Sequence, residues 1–491
     1  MRALRLVTVL LAALTLGALA CRRGPAAVTI LHFNDVYEIE PLAGGRVGGL
    51  ARVATLRAAL LKDGPVLTTL GGDYLSPSAI GTARIDGQAL AGRQMVDVLN
   101  AVGLEWATFG NHEFDLQEPA FHQRMGEQKF KIVASNVTNA DGYGFDNSVR
   151  SAIVPIRAAG REFRIGLIGL TIDSTRKPWV KYAPPIDAAK SEITRLRSSG
   201  SLDAVVALTH LQLSDDEALV AAVDDIDVVL GGHEHENWML RRGARLTPII
   251  KADANVRSVA VVTLTFDRSD GRPSVTARLE PIDEHIAADP AVEAIARQWR
   301  TRAFDAFKTQ GFSPEAVVAT SPSILDGRES TVRNEQGLLT DIITEGMRRE
   351  VGGSDVAILN GGSVRIDDEL PPGPVTEYDV IRILPFGGPV VKATFSGALL
   401  AQVLDIGLAN AGTGGYLQAA GITGTSGKWQ VAGKPLDRTH RYTVAITDFL
   451  LTGGEANLGF LTRSNAGVRD LKDFRDIRFA FIGEMKHRYG K

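Results

Sequence analysis

One cysteine, Cys21, in 491 residues rules out a disulfide within the chain and removes sulfur from any set of metal ligands. Nor is there a basic excess: 54 lysines and arginines against 57 aspartates and glutamates leave a formal charge of -3. Nucleic-acid and anionic-membrane binders carry a basic surplus that is missing here. Any anion site must therefore be local. The chain shows no internal repeat and no low-complexity tract.

What is present is ordinary globular composition, 44% hydrophobic and 23% charged. The length exceeds what one core accommodates, so two domains are expected. Residues 1–20 read as a signal peptide: Arg2 and Arg5 form a basic start, and Leu6 to Ala20 is apolar, uncharged and too short for a membrane span. Cys21 follows at once. The run Ala18-Leu19-Ala20-Cys21 resembles the lipobox of a bacterial lipoprotein, with Ala18 where leucine is usual, and an ordinary secretory signal is the other reading. Either way an exported protein is expected, periplasmic or at the cell surface, with the lipoprotein reading anchoring it to the membrane through Cys21.

From Val28 to about Phe266 short β-branched runs alternate with helical spacing. Strands are expected at Val28 to Phe33, Val66 to Leu70, Ile165 to Leu170, Ala204 to Leu208 and Val228 to Leu230. Helical spacing links Leu50, Val53, Leu56 and Leu60, and also Ala91, Met95, Val98, Leu99 and Val102. This is an α/β layout. Asp289-Pro290 opens a helix that connects to a second domain, whose glycine and proline clusters at 360–389 and 411–433 mark long loops. The expected division is 27–284, a linker helix over 285–311, and 312–491.

The polar motifs fall at the strand ends. In order they are Asn34-Asp35-Val36-Tyr37, Gly71-Gly72-Asp73, Gly110-Asn111-His112-Glu113-Phe114-Asp115, Thr209-His210 and Gly231-Gly232-His233-Glu234-His235. Four of the nine histidines lie in them. Aspartate, asparagine and histidine make an oxygen and nitrogen ligand set suited to Mn, Zn, Fe or Co. With two such ions a bridging hydroxide attacks phosphorus in line, and no serine or cysteine nucleophile is required. His32 is expected to face core or backbone, Glu113 to hydrogen-bond backbone, and Gly166 to Gly169 to be buried strand rather than a dinucleotide loop.

This order of motifs resembles the calcineurin-like metallophosphoesterases, whose fold is a sandwich of two mixed sheets flanked by helices. The resemblance implies two divalent or mixed-valence metal ions: Asp35, Asp73 and His235 on one, with Asp73 bridging, and Asn111, His210 and His233 on the other. His112 would be the catalytic non-ligand, oriented by Asp115, for which a helix-start cap is the alternative. Tyr37 stands where that family has histidine. Three outcomes are open for it: a phenolate ligand, a hydrogen bond to the ligands, or a weakened first site.

The C-terminal half carries Val332-Arg333-Asn334-Glu335, Asn360-Gly361-Gly362-Ser363-Val364-Arg365, Leu384-Pro385-Phe386-Gly387, Gly414-Gly415-Tyr416-Leu417-Gln418 and Gly453-Gly454-Glu455. These resemble the α+β C-terminal domain of the 5′-nucleotidases. The resemblance implies that Arg333, Asn360, Gly361, Gly362 and Arg365 hold a nucleotide and that Tyr416 is the first aromatic of a base clamp. Arg328 is a looser match, with a solvated face as its other reading. Asn457 occupies the second clamp position, with Phe460 nearby as a replacement. The expected function is release of phosphate from nucleotides, with the two domains closing around the connector. The rivals are a cyclic-nucleotide or nucleotide-sugar phosphodiesterase or pyrophosphatase, a non-catalytic nucleotide-binding surface lipoprotein, and a thiosulfate-ester hydrolase. No nucleic-acid partner is expected.

Overall fold

The computed structural model describes residues 26–266 and 271–490. The leader and Cys21 lie outside the described residues. Among those described, no helix is long and apolar enough to cross a membrane.

Among the described residues, 26–76 and those between 95 and 296 form one compact unit. Its first sheet has seven strands, in which Ala26–Phe33 pairs parallel with Val66–Leu70 and antiparallel with Ser258–Phe266. Its second sheet has six strands and includes the parallel run Arg161–Thr171, Ala204–His210, Val228–Gly231 and Thr247–Lys251. Val66–Leu70 and Ala204–His210 are buried at every residue, as unbroken apolar runs in parallel strands require. Ile30 and Leu67 of the first sheet share a core with Leu167, Val206, Leu208 and Ile250 of the second. Helices Pro185–Ser198 and Leu213–Ala222 cover the other face of the second sheet through Ile193, Leu196 and Leu219. Truncating any of these fully buried leucines to alanine should cost about 2–5 kcal/mol. The sandwich of two mixed sheets is as expected, and the run from Gly166 to Gly169 is buried strand.

The helix expected from Ala91 begins instead at Arg93. Ala91 has φ +46°, a left-handed turn that right-handed helix cannot include.

Residues 77–94 and 297–490 form the second unit. Its five-stranded sheet runs in the order Leu417–Ala420, Val356–Asn360, Arg441–Thr447, Pro389–Ser396, Val468–Asp476. Helices Leu338–Glu350, Gly397–Ala409 and Ile477–Tyr489 complete an α+β unit. The connector helix spans Pro290–Thr309, and Asp289 caps it by accepting from the backbone of Ala291 and Val292 at 3.0 and 3.1 Å. The division falls inside this helix, after Ala296, rather than at its ends. The segment 77–94, expected within the first domain, groups with the second unit, where the Arg93 guanidinium lies 5.6 Å from the Trp299 ring centre.

Candidate active site

The motif residues gather where parallel strands end, at Phe33, Leu70, His210 and Gly231. Such sheets place their ligand sites just beyond these ends. Convergence demands unusual backbone. Asp35, Asp73, His233 and His235 all have positive φ, at 52°, 57°, 93° and 62°. Outside glycine this region costs about 1–2 kcal/mol per residue, and it persists where surrounding structure holds it. Gly110 is required for close approach, since a Cβ there would overlap the Asp73 carboxylate.

One oxygen each of Asp35 and Asp73 and one ring nitrogen of His235 lie within 4.8 Å of one another. The Tyr37 hydroxyl joins them, 2.9 Å from His235 Nε2, 3.2 Å from Asp73 Oδ2 and 3.4 Å from Asp35 Oδ1. His210 Nε2 is 3.2 Å from Asp73 Oδ2, and its Nδ1 donates to the Gly71 carbonyl at 2.7 Å. His233 is in ring contact with His210, centres 5.2 Å apart.

The electrostatics divide these histidines. Burial pushes His210 down, but the Asp73 and Asp35 charges overcome it and raise it to about 9. Burial, then the His210 charge, pushes His233 down to about 3, so it is neutral with a lone pair to give. Burial works against ionising Asp35 and Asp73, yet the facing histidines hold both below the usual carboxylate range. One buried acceptor stands out: among the described residues Asn111 Oδ1 has no hydrogen-bond partner, while His210 Nε2 faces the Asp73 carboxylate. Buried polar atoms are rarely left so. Two carboxylates, a neutral histidine and this orphaned oxygen fit a pair of cations, which would take the place of the proton on His210.

His112 Nδ1 lies 2.6 Å from Asp115 Oδ2, and its Nε2 is 4.0 Å from Asp73 Oδ2. Asp115 therefore orients His112 rather than capping a helix; the following helix has no side-chain cap. Glu113 accepts from the backbone N–H of Gly110, Tyr74, Asp73 and Leu75 at 2.6, 2.7, 2.9 and 3.1 Å, stapling two motif loops together. Its burial and the Asp73 charge raise it to about 7 against those donors. His32 bonds Thr69 Oγ1 and the Gly231 carbonyl, as expected of a structural histidine.

Three residues support the site: Asn34, already in the first motif, and Asn255 and Lys251, which do not stand out in the sequence. Asn34 fixes Asp35 Oδ2 at 2.7 Å and pairs with both backbone groups of Ala252. Asn255 accepts from the backbone of Tyr37 and Glu38. Lys251 is fully buried behind the histidines. Its one sequence signal is a charge closing the apolar run Thr247–Lys251.

In the second unit the backbone brings the expected substrate set together. Gly361 N donates to the Tyr416 carbonyl, Gly362 N to Gly414, and Gly412 N to Arg333, at 2.7, 2.8 and 2.9 Å. Glu329 pairs with Arg333 and lies 3.5 Å from Arg365. Asn360 donates to Glu455 Oε2 at 2.8 Å. Arg328 stands apart, half exposed and paired with Asp326 and Glu369 at 2.6 and 2.8 Å. Tyr416 is half-buried. Phe460, the candidate replacement in a clamp, is partly buried and packs against the core of this unit. Two other rings are exposed instead, Phe386 at 58% and Phe449 at 44%. Their loops adjoin, since a Cβ on Gly388 would lie 2.7 Å from the Asp448 carboxylate, and Phe449 neighbours Gly454, next to Glu455. Phe386 belongs to the Leu384-Pro385-Phe386-Gly387 motif, whereas Phe449 does not stand out in the sequence.

Comparison with known proteins agrees with this division of labour. The calcineurin-like phosphoesterase profile matches residues 28–237, and the 5′-nucleotidase C-terminal domain profile matches 317–461. The chain belongs to the calcineurin-like phosphoesterases that carry a 5′-nucleotidase C-terminal domain. It is thus a metal-dependent phosphoester hydrolase. A bovine 5′-nucleotidase is 26% identical, the alignment covering 97% of this chain and 92% of the relative. The trifunctional nucleotide phosphoesterase YfkN of Bacillus subtilis is 24% identical, and this chain spans only 28% of its length. In fold, the crystal structure of a 5′-nucleotidase precursor from Thermus thermophilus matches with a TM-score of 0.74 at 22% identity, covering 94% of this chain and 97% of that one.

Proposed function

We propose that the chain releases phosphate from nucleoside monophosphates. The observation that carries this is the convergence of Asp35, Asp73 and His235 with His210 on the shared Asp73 carboxylate, beside the partnerless Asn111 Oδ1. Asp35, Asp73 and His235 would hold one cation, with Tyr37 at its edge; Asp73, Asn111, His210 and His233 would hold the other. When bound, such cations supply Lewis acidity and an activated water.

The chain's own residues do the rest. Asp115 holds the His112 imidazole so that its Nε2 proton faces the reacting phosphate oxygens, stabilising negative charge or protonating the leaving oxygen. Glu113 fixes the loops of Asp73 and Asn111 against drift. Arg333, Arg365 and Asn360 bind the nucleotide's anionic and hydroxyl groups. The exposed rings of Phe386 and Phe449 give its base a face to stack on, with Tyr416 and the glycines Gly361 and Gly362 shaping the pocket. Arg328, held by two carboxylates, contributes at the rim. The leader and a lipid anchor at Cys21 complete this reading; a Cys21→Ala variant should leave the membrane fraction.

The test is a panel of nucleoside monophosphates, cyclic nucleotides and nucleotide sugars, assayed with added Mn, Zn, Fe and Co. Monophosphates should turn over fastest. A preference for cyclic nucleotides or nucleotide sugars would move the reading to a phosphodiesterase or pyrophosphatase. Ferric loading adds a spectral check on Tyr37: a phenolate ligand would colour the protein, and a colourless iron-loaded sample would leave Tyr37 a hydrogen-bonding neighbour.

A further inference from the structure

Lys251 ends an apolar strand and has no exposed surface. Its ammonium lies 2.7 Å from the Leu211 carbonyl, 2.8 Å from the Gly232 carbonyl, 2.5 Å from Glu234 Oε2 and 2.9 Å from Asp216 Oδ2. The positions of those acceptors are telling. Leu211 follows His210, Gly232 precedes His233, and Glu234 separates His233 from His235. One cation therefore grips the chain beside all three histidines of the candidate metal site.

The carboxylates extend the grip. Glu234 Oε1 accepts from the backbone N–H of Leu213, tying the His-x-His turn to the segment after His210 a second time. Asp216 is fully buried on the helix Leu213–Ala222, which begins there. Gly231 leaves room for the lysine stem: a Cβ would come within 2.9 Å of Lys251 Cε and 2.8 Å of Thr209 Oγ1. The turn being held is strained, with positive φ at His233 and His235. Such strain persists only where neighbouring contacts over-determine it. An ammonium has three N–H groups, and four oxygens surround this one, so its bonding capacity is saturated by protein. Apolar packing alone would not need a charge, because replacing a buried ion pair by apolar residues is often neutral for stability.

We propose that Lys251, with Glu234 and Asp216, is a buried positioning knot that sets His210, His233 and His235 for metal binding. It rests on the reading of those histidines as ligands. Groups that orient metal ligands typically change affinity by about 10–100-fold when removed.

The test uses the full chain, stripped of metal and titrated with Co²⁺ by visible absorption and against a chromophoric chelator, with melting temperature as the control. The variant K251M/D216N removes the ammonium without leaving Asp216 charged and unpaired. It should melt near wild type when metal-free, bind at least one Co²⁺ about tenfold more weakly, and show an altered cobalt band. E234Q keeps the ammonium and loses one anchor, so a smaller weakening is expected. Folded variants with wild-type affinity and spectrum would overturn the proposal. If the double variant does not fold, unchanged cobalt binding by E234Q overturns it alone. Wild type that takes up no metal would instead defeat the ligand reading beneath it.

Discussion

The polar group of the first unit and that of the second are built on opposite plans. Around Asp73 nearly everything is buried, cross-bonded and strained, and the demand is for positive charge: two carboxylates beside the orphaned Asn111 Oδ1, answered in part by His210. Around Asn360 the contributors are loops, two aromatic rings stand exposed, and the guanidiniums of Arg333 and Arg365 already face Glu329. One set is preorganised for cations. The other must exchange an internal carboxylate for a ligand anion. Chemistry that depends on placement within fractions of an ångström favours the first plan, and recognition that must release its product favours the second.

The sharpest way to break this contrast is Asp73→Ala. It removes the carboxylate shared between the two expected cations, so kcat/KM should fall by roughly 10³-fold or more and metal content should drop with it. Phosphate-release kinetics with elemental analysis check both; a variant that keeps its metals and half its rate would show the burial to be structural only. The second unit should respond differently. Phe386→Ala or Phe449→Ala should raise KM for a nucleotide by about 5- to 100-fold while leaving the rate on a small aryl phosphate unchanged, since stacking on a base is worth roughly 1–3 kcal/mol. Equal losses on both substrates would mean that the rings serve the fold. Smaller still is Glu329→Gln. Partly exposed ion pairs are worth about 0.2–1 kcal/mol, so freeing the arginines should lower KM for anionic substrates by about 1.5- to 5-fold, measured at low ionic strength.

The two plans are unequally legible in the sequence. Strand-end motifs announce the first site because short glycine-bounded runs fix both residue type and location, and the gathering of Asp35, Asp73 and His235 follows from strand order alone. Glu113 and His32 take the structural roles their neighbours suggest. Lys251 and Asn255 do not announce themselves, since their partners are 17 or more residues away and no local pattern encodes them. In the second unit the exposure of Phe386, which sits in a motif, and of Phe449, which does not, escapes notice for a related reason. Exposure of Phe386 and Phe449 is a property of the folded loops, whereas Phe460, only a few residues beyond Glu455, is partly buried against the core. The placement of 77–94 with the second unit likewise depends on tertiary contact, Arg93 over Trp299 being one instance.

The contrast also predicts a pH signature for the metal-free protein. His210 is raised from 6.5 to about 9, burial opposing the rise and the charges of Asp73 and Asp35 producing it. A histidine raised on folding lends stability that is complete below its unfolded value of about 6.5 and is lost as pH climbs through 9. That contribution is on the order of 3 kcal/mol, since a tenfold change in proton affinity corresponds to about 1.4 kcal/mol. Chelator-treated protein should therefore melt about 5 °C lower at pH 9.5 than at pH 6.5. Protein saturated with metal should show little of this slope, because cations then answer the same carboxylates whatever the state of a proton on His210. The arginine pairs of the second unit cannot contribute, as guanidinium keeps its charge throughout this range. Equal slopes with and without metal would place the titrating group outside the metal site and remove the electrostatic half of the comparison.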